Sequence, residues 1–273
     1  MNPSSNAVRS LKFPQDHKTG RPICKNCNTE LKGIYCHNCG QKANIKPINF
    51  RYVLTEIRDG VFQVNRGFFF TTKELFSRPG YAIREFIEGK RVRHFKPISY
   101  VLLLALIYAI LVHYTDWGTA FKGFAEGISD KGNDTDPRYR TIRIVLAWLV
   151  DNYQYSSLFY LPLWALASFL AFVRKPFNYF EHFLLVTFLL GLGTFINSMV
   201  ILLAFPFPAY KDEIASLMIV PFIYYIWAYT QFFHRSKTLI IILQVLLSFV
   251  LFFLLIFGIL ALVLAFDTFV LGK

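Results

Sequence analysis

Long apolar runs fill most of the chain after residue 97, and shorter amphipathic stretches precede them. A membrane-spanning helix needs about 20 mostly apolar residues, and five runs approach that length. They predict an all-α integral membrane protein with about five transmembrane helices in a bundle over residues 98–273. The predicted spans are residues 98–114, 157–173, 180–205, 215–233 and 239–266.

The residues ahead of the first span, 47–97, are predicted to form cytosolic amphipathic or interfacial helices. From residue 50 to 64 apolar positions recur mostly at helical spacing, which indicates an amphipathic helix with Arg51 and Glu56 turned away from its apolar face. Two shorter helices are predicted to follow, separated by Pro79 and Gly80 because these residues interrupt helices. The apolar positions of the first helix are Phe50, Val53, Leu54, Ile57, Val61, Phe62 and Val64.

Two Cys-x2-Cys pairs near the start of the chain indicate a metal site. Thiolates three residues apart on a tight turn can bind one ion, and two such turns complete a tetrahedral site for which zinc is the expected metal. Asn28 and Gly40 follow the second cysteine of each pair, where a residue that tolerates positive φ is needed. Residues 21–46 are therefore predicted to form a zinc ribbon with one structural zinc ion; a redox dithiol pair and disulfides are the alternatives. The predicted ligands are Cys24, Cys27, Cys36 and Cys39.

The N-terminus is predicted to be cytosolic. Residues 1–20 lack the apolar core of a signal peptide and are expected to be a flexible N-terminus, while metal-binding thiols require a reducing compartment. Basic residues in the short loops at 174–175 and 235–237 fit this orientation. Five spans in the inner (plasma) membrane would leave the C-terminus outside, unless the short apolar stretch 142–150 also crosses.

Charge is distributed unevenly along the chain. Only 17% of the residues are charged, which is too few for an ordinary soluble domain of this length. Residues 1–97 nevertheless carry 18 of the 29 Lys and Arg residues and 7 of the 17 Asp and Glu residues, so they hold +11 of the net charge of +12. Such a segment favours anionic lipid, an acidic protein or nucleic acid as partner.

A basic cluster stands immediately before the first span. Each cation near an anionic leaflet contributes roughly 1 kcal/mol of attraction, so the cluster is predicted to bind lipid headgroups. The alternative is an ordinary positive-inside signal without specific lipid contact. The cluster consists of Lys90, Arg91, Arg93 and Lys96.

Polar residues in or beside the spans suggest a possible intramembrane site. Glu181, His182 and Asp267 are the candidates, because ionisable groups inside a membrane are often functional; anchoring at the interface or local pairing is the alternative. Gln244 is expected to form an interhelical hydrogen bond. Gly191 and Gly193 are expected to allow close helix contact or a kink.

Several motifs follow the cysteines in a fixed order: Arg66-Gly67-Phe68, Thr71-Thr72, Arg78-Pro79-Gly80 and Glu88-Gly89-Lys90-Arg91. With the two knuckles they make residues 21–113 resemble the bacterial domain-of-unknown-function family 3667. The resemblance implies a zinc-ribbon-headed multipass membrane protein, with the cysteine quartet as its metal ligands. It implies no catalytic residue and no activity.

No catalytic constellation is present in the sequence, so an enzyme is the class of function that it supports least. The chain is predicted to be a membrane-anchored adaptor or assembly factor, whose ribbon recruits an unidentified protein partner. A small-molecule or lipid transporter is the main alternative. A membrane-tethered nucleic-acid-binding protein is the third, which the scarcity of aromatic residues near the cysteines disfavours.

Overall fold

A computed structural model describes residues 22–58, 67–115, 148, 152–210 and 216–271. The predicted flexible N-terminus lies outside these residues, as do positions 59–64 of the first amphipathic helix and all of 142–150 except Trp148. The chain divides into two compact units, one ending at Ser99 and the other beginning at Tyr100. This boundary falls two residues after the predicted start of the transmembrane region.

The first unit combines a cysteine ribbon with three helices. The ribbon is built on two isolated antiparallel bridges, Ile23 with Glu30 and Tyr35 with Lys42. The third helix carries Pro79 in its first turn, where the missing amide costs no hydrogen bond, and its C-cap is Gly89, at φ 120°. The helices are α1 (Phe50–Arg58), α2 (Gly67–Ser77) and α3 (Pro79–Glu88), and α2 packs on α3.

Helix α1 buries only part of the face that its apolar pattern predicts, since Val53 is buried and two other members of that face are exposed. Glu56 is only 7% exposed, whereas Phe50 and Leu54 are 59% and 48% exposed. The prediction that Glu56 turns away from the packed face is wrong. The reason is that its carboxylate has specific partners, since Tyr52 on the same helix donates a hydrogen bond of 2.7 Å to it.

The second unit is a bundle of helices. Helix α5 packs against α6 and α8, and α7 packs against the same two helices, so these four helices form a closed ring. Every regular element of the described residues is helical, which confirms the predicted all-α class. The helices are α4 (Pro97–Thr115), α5 (Tyr153–Ala171), α6 (Tyr179–Ala204), α7 (Val220–Phe232) and α8 (Thr238–Leu271), with short 3-10 helices at Pro208–Tyr210 and Ser216–Ile219.

Three of the described helices are long and apolar enough to cross a membrane, namely α4, α6 and the Thr238–Val263 part of α8. The prediction of five spans is not confirmed. Within the described residues, the apolar stretch of α5 is Phe159–Ala171. The predicted fourth span is divided into a 3-10 helix and the 13-residue α7, because Pro221 restricts α7 to start beside it.

Helix α6 is the centre of the bundle. In the most apolar 18-residue window of α6, 72% is buried, whereas in that of α8 only 17% is buried. The exposed apolar surface of α8 is typical of a helix that faces lipid. Gly191 and Gly193 allow neighbours to approach α6 closely, as predicted. A Cβ at Gly191 would lie 2.7 Å from the Tyr100 ring, and one at Gly193 only 2.1 Å from Tyr225 Oη.

Candidate functional site

The two cysteine knuckles repeat one backbone pattern. In the first, the Cys24 amide donates to the Thr29 carbonyl and the Asn28 amide donates to the Cys24 carbonyl, both at 2.9 Å. The residues twelve positions later make the same two bonds, at 2.8 and 2.9 Å. Each knuckle is therefore shaped by its own local hydrogen bonds.

The residue after each knuckle has the conformation that the sequence predicts. Asn28 has φ 58° and Gly40 has φ 75°. Among the described residues, Asn28 is the only one other than glycine with positive φ. Asparagine tolerates this left-handed region better than most residues. Asn28 therefore fits the turn that brings the two sulfurs of its knuckle together.

The four sulfur atoms converge on one point. They lie within 4.8 Å of one another, with Cys24 Sγ 3.6 Å from Cys39 Sγ and Cys27 Sγ 3.5 Å from Cys36 Sγ. All four cysteines are unlinked thiols. A tetrahedral ion with metal–sulfur bonds of about 2.3 Å separates its sulfurs by about 3.8 Å. The donor set and its spacing therefore fit a bound metal ion.

The four thiols differ in how readily they lose a proton. The Thr29 hydroxyl and amide lower the pKa of Cys27 to about 6, with the hydroxyl oxygen 3.2 Å from Sγ. Burial raises the pKa of Cys24 to about 12, and burial also raises that of Cys39. A cation neutralises thiolates and favours their deprotonated form, so Cys24 and Cys39, whose pKa values are raised, depend most on an ion.

The second knuckle is fixed to the stretch that follows α3. The Gln41 side-chain carbonyl accepts a hydrogen bond of 3.1 Å from the Arg91 amide, and the Arg91 guanidinium donates to the Lys46 carbonyl at 3.1 Å. Gly89 is held against the ribbon, since a Cβ there would lie 2.9 Å from Cδ of Lys25. The ribbon is therefore seated on residues 89–91.

The basic residues assigned to lipid binding have four different environments. Lys90 forms an ion pair of 3.2 Å with Glu85. The Arg91 guanidinium donates to two carbonyls at the end of α3 as well as to the ribbon. Arg93 is exposed, and Lys96 lines a cavity in the first unit. Lipid contact by the group stays a prediction, with Arg93 and Lys96 the members best placed for it.

Arg78 links α2 to α3. Its guanidinium lies 2.6 Å from a carboxylate oxygen of Glu74 and makes two hydrogen bonds to Glu85, at 3.1 and 3.2 Å. The side chain is partly exposed, so each pair contributes modestly to stability. The fork geometry instead fixes the angle at which Pro79 starts α3.

Residues 65–109 match the family model described as "Protein of unknown function (DUF3667)". This segment, called the DUF3667 segment below, is similar to that family. The DUF3667 segment contains α2, α3 and most of α4, including Arg78, Gly89 and Arg91, so the predicted resemblance is confirmed there. The four cysteines lie before the match. No curated protein and no solved structure matches the chain.

The three residues predicted to form an intramembrane site lie after the DUF3667 segment, and their environments differ. Glu181 caps α6, since its amide donates to Asn178 Oδ1 at 3.0 Å and its carboxylate accepts from the Asn178 amide at 2.8 Å. This capping box satisfies two amides at the helix start, in agreement with the local-pairing alternative. His182 is buried in the bundle. Asp267 lies on α8, and its side chain is outside the described part of the chain.

A hydrogen-bonded chain joins three helices around His182. Ser168 Oγ on α5 lies 2.8 Å from His182 Nδ1 on α6 and 2.7 Å from Tyr229 Oη on α7. A hydroxyl has one proton, so a Ser168 that donates to one partner accepts from the other. His182 Nε2 is buried without a hydrogen bond to a described residue. The sequence indicated His182 and missed the two residues that orient it.

Replacing Ser168 with alanine is expected to destabilise the bundle by about 1–2 kcal/mol, because His182 Nδ1 and Tyr229 Oη lose their shared partner. Thermal unfolding in detergent measures the loss. Ser198→Ala is the matched control, since that hydroxyl is equally buried and, among the described residues, bonds only to the Thr194 carbonyl of its own helix. Equal melting temperatures for the two variants would contradict a structural role for the Ser168 contact.

Sequence reasoning missed the buried polar groups of the first unit. Tyr52 and Glu56 meet Arg91 although α2, α3 and the undescribed residues 59–66 separate them in sequence, and Gln41 meets the amide of Arg91 fifty residues away. The available signal was the position of Glu56 four residues after Tyr52, a spacing that places both on one side of a helix. No local signal indicated Gln41.

Proposed function

We propose that the protein is a membrane-anchored adaptor or assembly factor, whose cytosolic zinc ribbon recruits a protein partner. The observation that carries the proposal is an exposed apolar pair on the ribbon. Ile34 and Tyr35 lie between the two knuckles and are 54% and 62% exposed. Exposed aromatic and branched apolar side chains on a small rigid module are typical anchors of a protein interface.

The two sides of the ribbon differ in a way that supports recruitment. Gln41 and Ala43 are buried, and the stretch from 41 to 46 is bonded to Arg91. The opposite side carries the apolar pair together with the exposed Lys32 and Lys42. One side thus holds the ribbon in place while the other is accessible. A partner segment with apolar and acidic side chains is complementary to that surface.

Zinc is proposed as the ion, in one copy and in a structural role. Four thiolates complete a tetrahedral zinc site and leave no open position for a substrate. The ribbon needs such support because its apolar core consists of Leu31 and Ala43 packed around the cysteines. Structural zinc contributes on the order of 10 kcal/mol to the folding of small modules.

The proposed location is the inner (plasma) membrane, with the N-terminus in the cytosol and the C-terminus outside. Lys175 Nζ, between α5 and α6, donates to Ser236 Oγ, between α7 and α8. The two basic turns thus lie at the same end of the bundle, which supports a common cytosolic side under the positive-inside rule. Five crossings would put both turns on the side of the N-terminus and the C-terminus on the opposite side.

The recruiting surface can be tested by photo-crosslinking. A benzoylphenylalanine placed at Tyr35 in cells is expected to capture one specific protein, because the reactive group would lie inside the interface. The same residue placed at Phe69, a more exposed aromatic position on α2, is the matched control. The captured protein should disappear when Ile34 is changed to Ser in the Tyr35 variant. Identical captures from positions 35 and 69 would contradict recruitment by the ribbon.

A transporter is the second candidate, favoured by the buried chain from Tyr229 through Ser168 to His182. Ionisable groups and hydrogen-bonded chains inside helix bundles occur in proton and substrate pathways. Transport predicts that His182→Asn abolishes proton-coupled solute uptake in vesicles without lowering the melting temperature. Uptake equal to that of the unchanged protein would remove this candidate.

A further inference from the structure

The first unit contains a cavity, lined in part by charged residues, that none of the predicted sites includes as a whole. Its volume is about 220 Å³, and it is lined by α1, by Phe86 of α3 and by the stretch between α3 and α4. This is about seven times the share of volume that a water molecule has in the liquid. The cavity is thus large enough for a small polar group such as a substituted phosphate.

One side of the cavity is cationic. Arg91 and Lys96 both line it. The Arg91 guanidinium donates hydrogen bonds to backbone carbonyls, which carry no formal charge, and its carbon lies 4.8 Å from the centre of the Tyr52 ring. Lys96 forms no ion pair within the described part of the chain. These two groups favour an anionic ligand of phosphate type.

The other side of the cavity is a buried carboxylate. Glu56 is more than nine-tenths buried, and its Oε1 accepts a hydrogen bond of 2.7 Å from the Tyr52 hydroxyl. Its Oε2 is buried and makes no hydrogen bond of normal geometry with a described residue, although the Ile98 amide acts on the carboxylate. Burial raises the pKa of Glu56 to about 6, against the opposing effects of Tyr52, Lys96, Arg91 and the Ile98 amide. A buried carboxylate favours a ligand with a positive charge and N–H groups.

His94 contributes shape and not charge to this cavity. Its ring packs edge-on against the rings of Phe70 and Phe86, with centroids 5.1 and 5.7 Å away. Burial lowers its pKa to about 4, so the imidazole is neutral at physiological pH. The charges that face the cavity are therefore those of Arg91, Lys96 and Glu56.

We propose that this cavity binds the phosphoethanolamine headgroup of a membrane lipid, with the ammonium at the Glu56 carboxylate and the phosphate between Lys96 and Arg91. A zwitterion satisfies the carboxylate and both cations at once. A phosphocholine group has no N–H for the carboxylate, and phosphoglycerol has no cation. A lipid is the expected source because Lys96 directly precedes Pro97, the first residue of a helix able to cross the membrane. The proposal does not depend on the ribbon's partner.

Native mass spectrometry of the delipidated full-length protein can test this proposal, with phosphatidylethanolamine, phosphatidylcholine and phosphatidylglycerol of identical acyl chains. Phosphatidylethanolamine is expected to bind about tenfold more tightly than phosphatidylcholine, the order of effect of one hydrogen bond to a charged group. Glu56→Gln should abolish this preference, and Lys96→Gln should weaken binding of phosphatidylethanolamine. Lys73→Gln, which removes an exposed lysine on α2, is the control with unchanged binding.

Three results would overturn the proposal. The first is equal binding of phosphatidylethanolamine and phosphatidylcholine by the unchanged protein. The second is that Glu56→Gln still prefers phosphatidylethanolamine to phosphatidylcholine and that Lys96→Gln binds phosphatidylethanolamine as well as the unchanged protein does. The third is saturation by free phosphoethanolamine or inorganic phosphate at the concentrations that saturate with lipid, which would indicate a soluble ligand.

Discussion

Replacing both Cys24 and Cys36 with serine is expected to abolish binding of the proposed zinc ion and to unfold residues 22–46. Each knuckle loses one of its two thiolates, and the ion supplies on the order of 10 kcal/mol of folding free energy in modules of this kind. The ribbon core is too small to compensate, since Leu31 and Ala43 are its buried apolar residues apart from the cysteines. Hydrogen exchange is the measurement, because the amides of Asn28 and Gly40 are protected only while the knuckles are folded.

His37→Ser is the control for the cysteine variant. His37 lies between Cys36 and Cys39 in sequence, is exposed, and is not part of the cysteine cluster. Its replacement should leave ion content and exchange unchanged. Retained protection at Asn28 and Gly40 in the double cysteine variant would contradict a folding role for the ion, whatever the metal content of that variant.

Changing Gly89 to alanine is expected to weaken the contact between the ribbon and the DUF3667 segment. The φ of 120° is one that residues with a Cβ rarely adopt, at a cost of about 1–3 kcal/mol. The new Cβ would also meet Lys25 Cδ at 2.9 Å and Ile45 Cδ1 at 3.0 Å, so the ribbon must shift. The free energy of local opening at the Arg91 amide, measured by hydrogen exchange, should fall by that amount.

Gly33→Ala is the matched control for this change. Gly33 is in the ribbon, a Cβ there would meet no atom within 4 Å, and its φ is not in the left-handed region. Its effect should stay within about 0.5 kcal/mol. Equal hydrogen exchange of the Arg91 amide in both glycine variants would mean that the contact at Gly89 does not hold the ribbon in place.

The parts of the molecule that were predicted correctly depend on short-range rules. The spacing of the cysteines places two sulfurs on each turn, and the positive φ of Asn28 and Gly40 follows from the same turn. The interhelical hydrogen bond of Gln244 is confirmed by its 3.0 Å contact with the Ala171 carbonyl. A polar side chain inside an apolar run has few other ways to be satisfied, so its sequence context was sufficient.

The parts that were not predicted depend on contacts between distant residues. An apolar pattern assigned Glu56 to the exposed side of α1, but Arg91 and Lys96, more than thirty residues later, place compensating charges beside it. Arg91 looked like one member of a basic surface cluster, although its guanidinium bonds to backbone carbonyls of the ribbon and α3. Hydropathy could not reveal that Pro221 sets the start of α7 and shortens the predicted fourth span.

The central claim is that the four cysteines hold one zinc ion in the intact membrane protein. X-ray absorption at the zinc edge, combined with elemental analysis of the full-length protein in detergent, tests it most directly. The expected result is one zinc per chain, surrounded by four sulfurs at about 2.3 Å. Absence of zinc, or a first shell containing nitrogen or oxygen ligands, would contradict the claim and favour the redox-dithiol alternative.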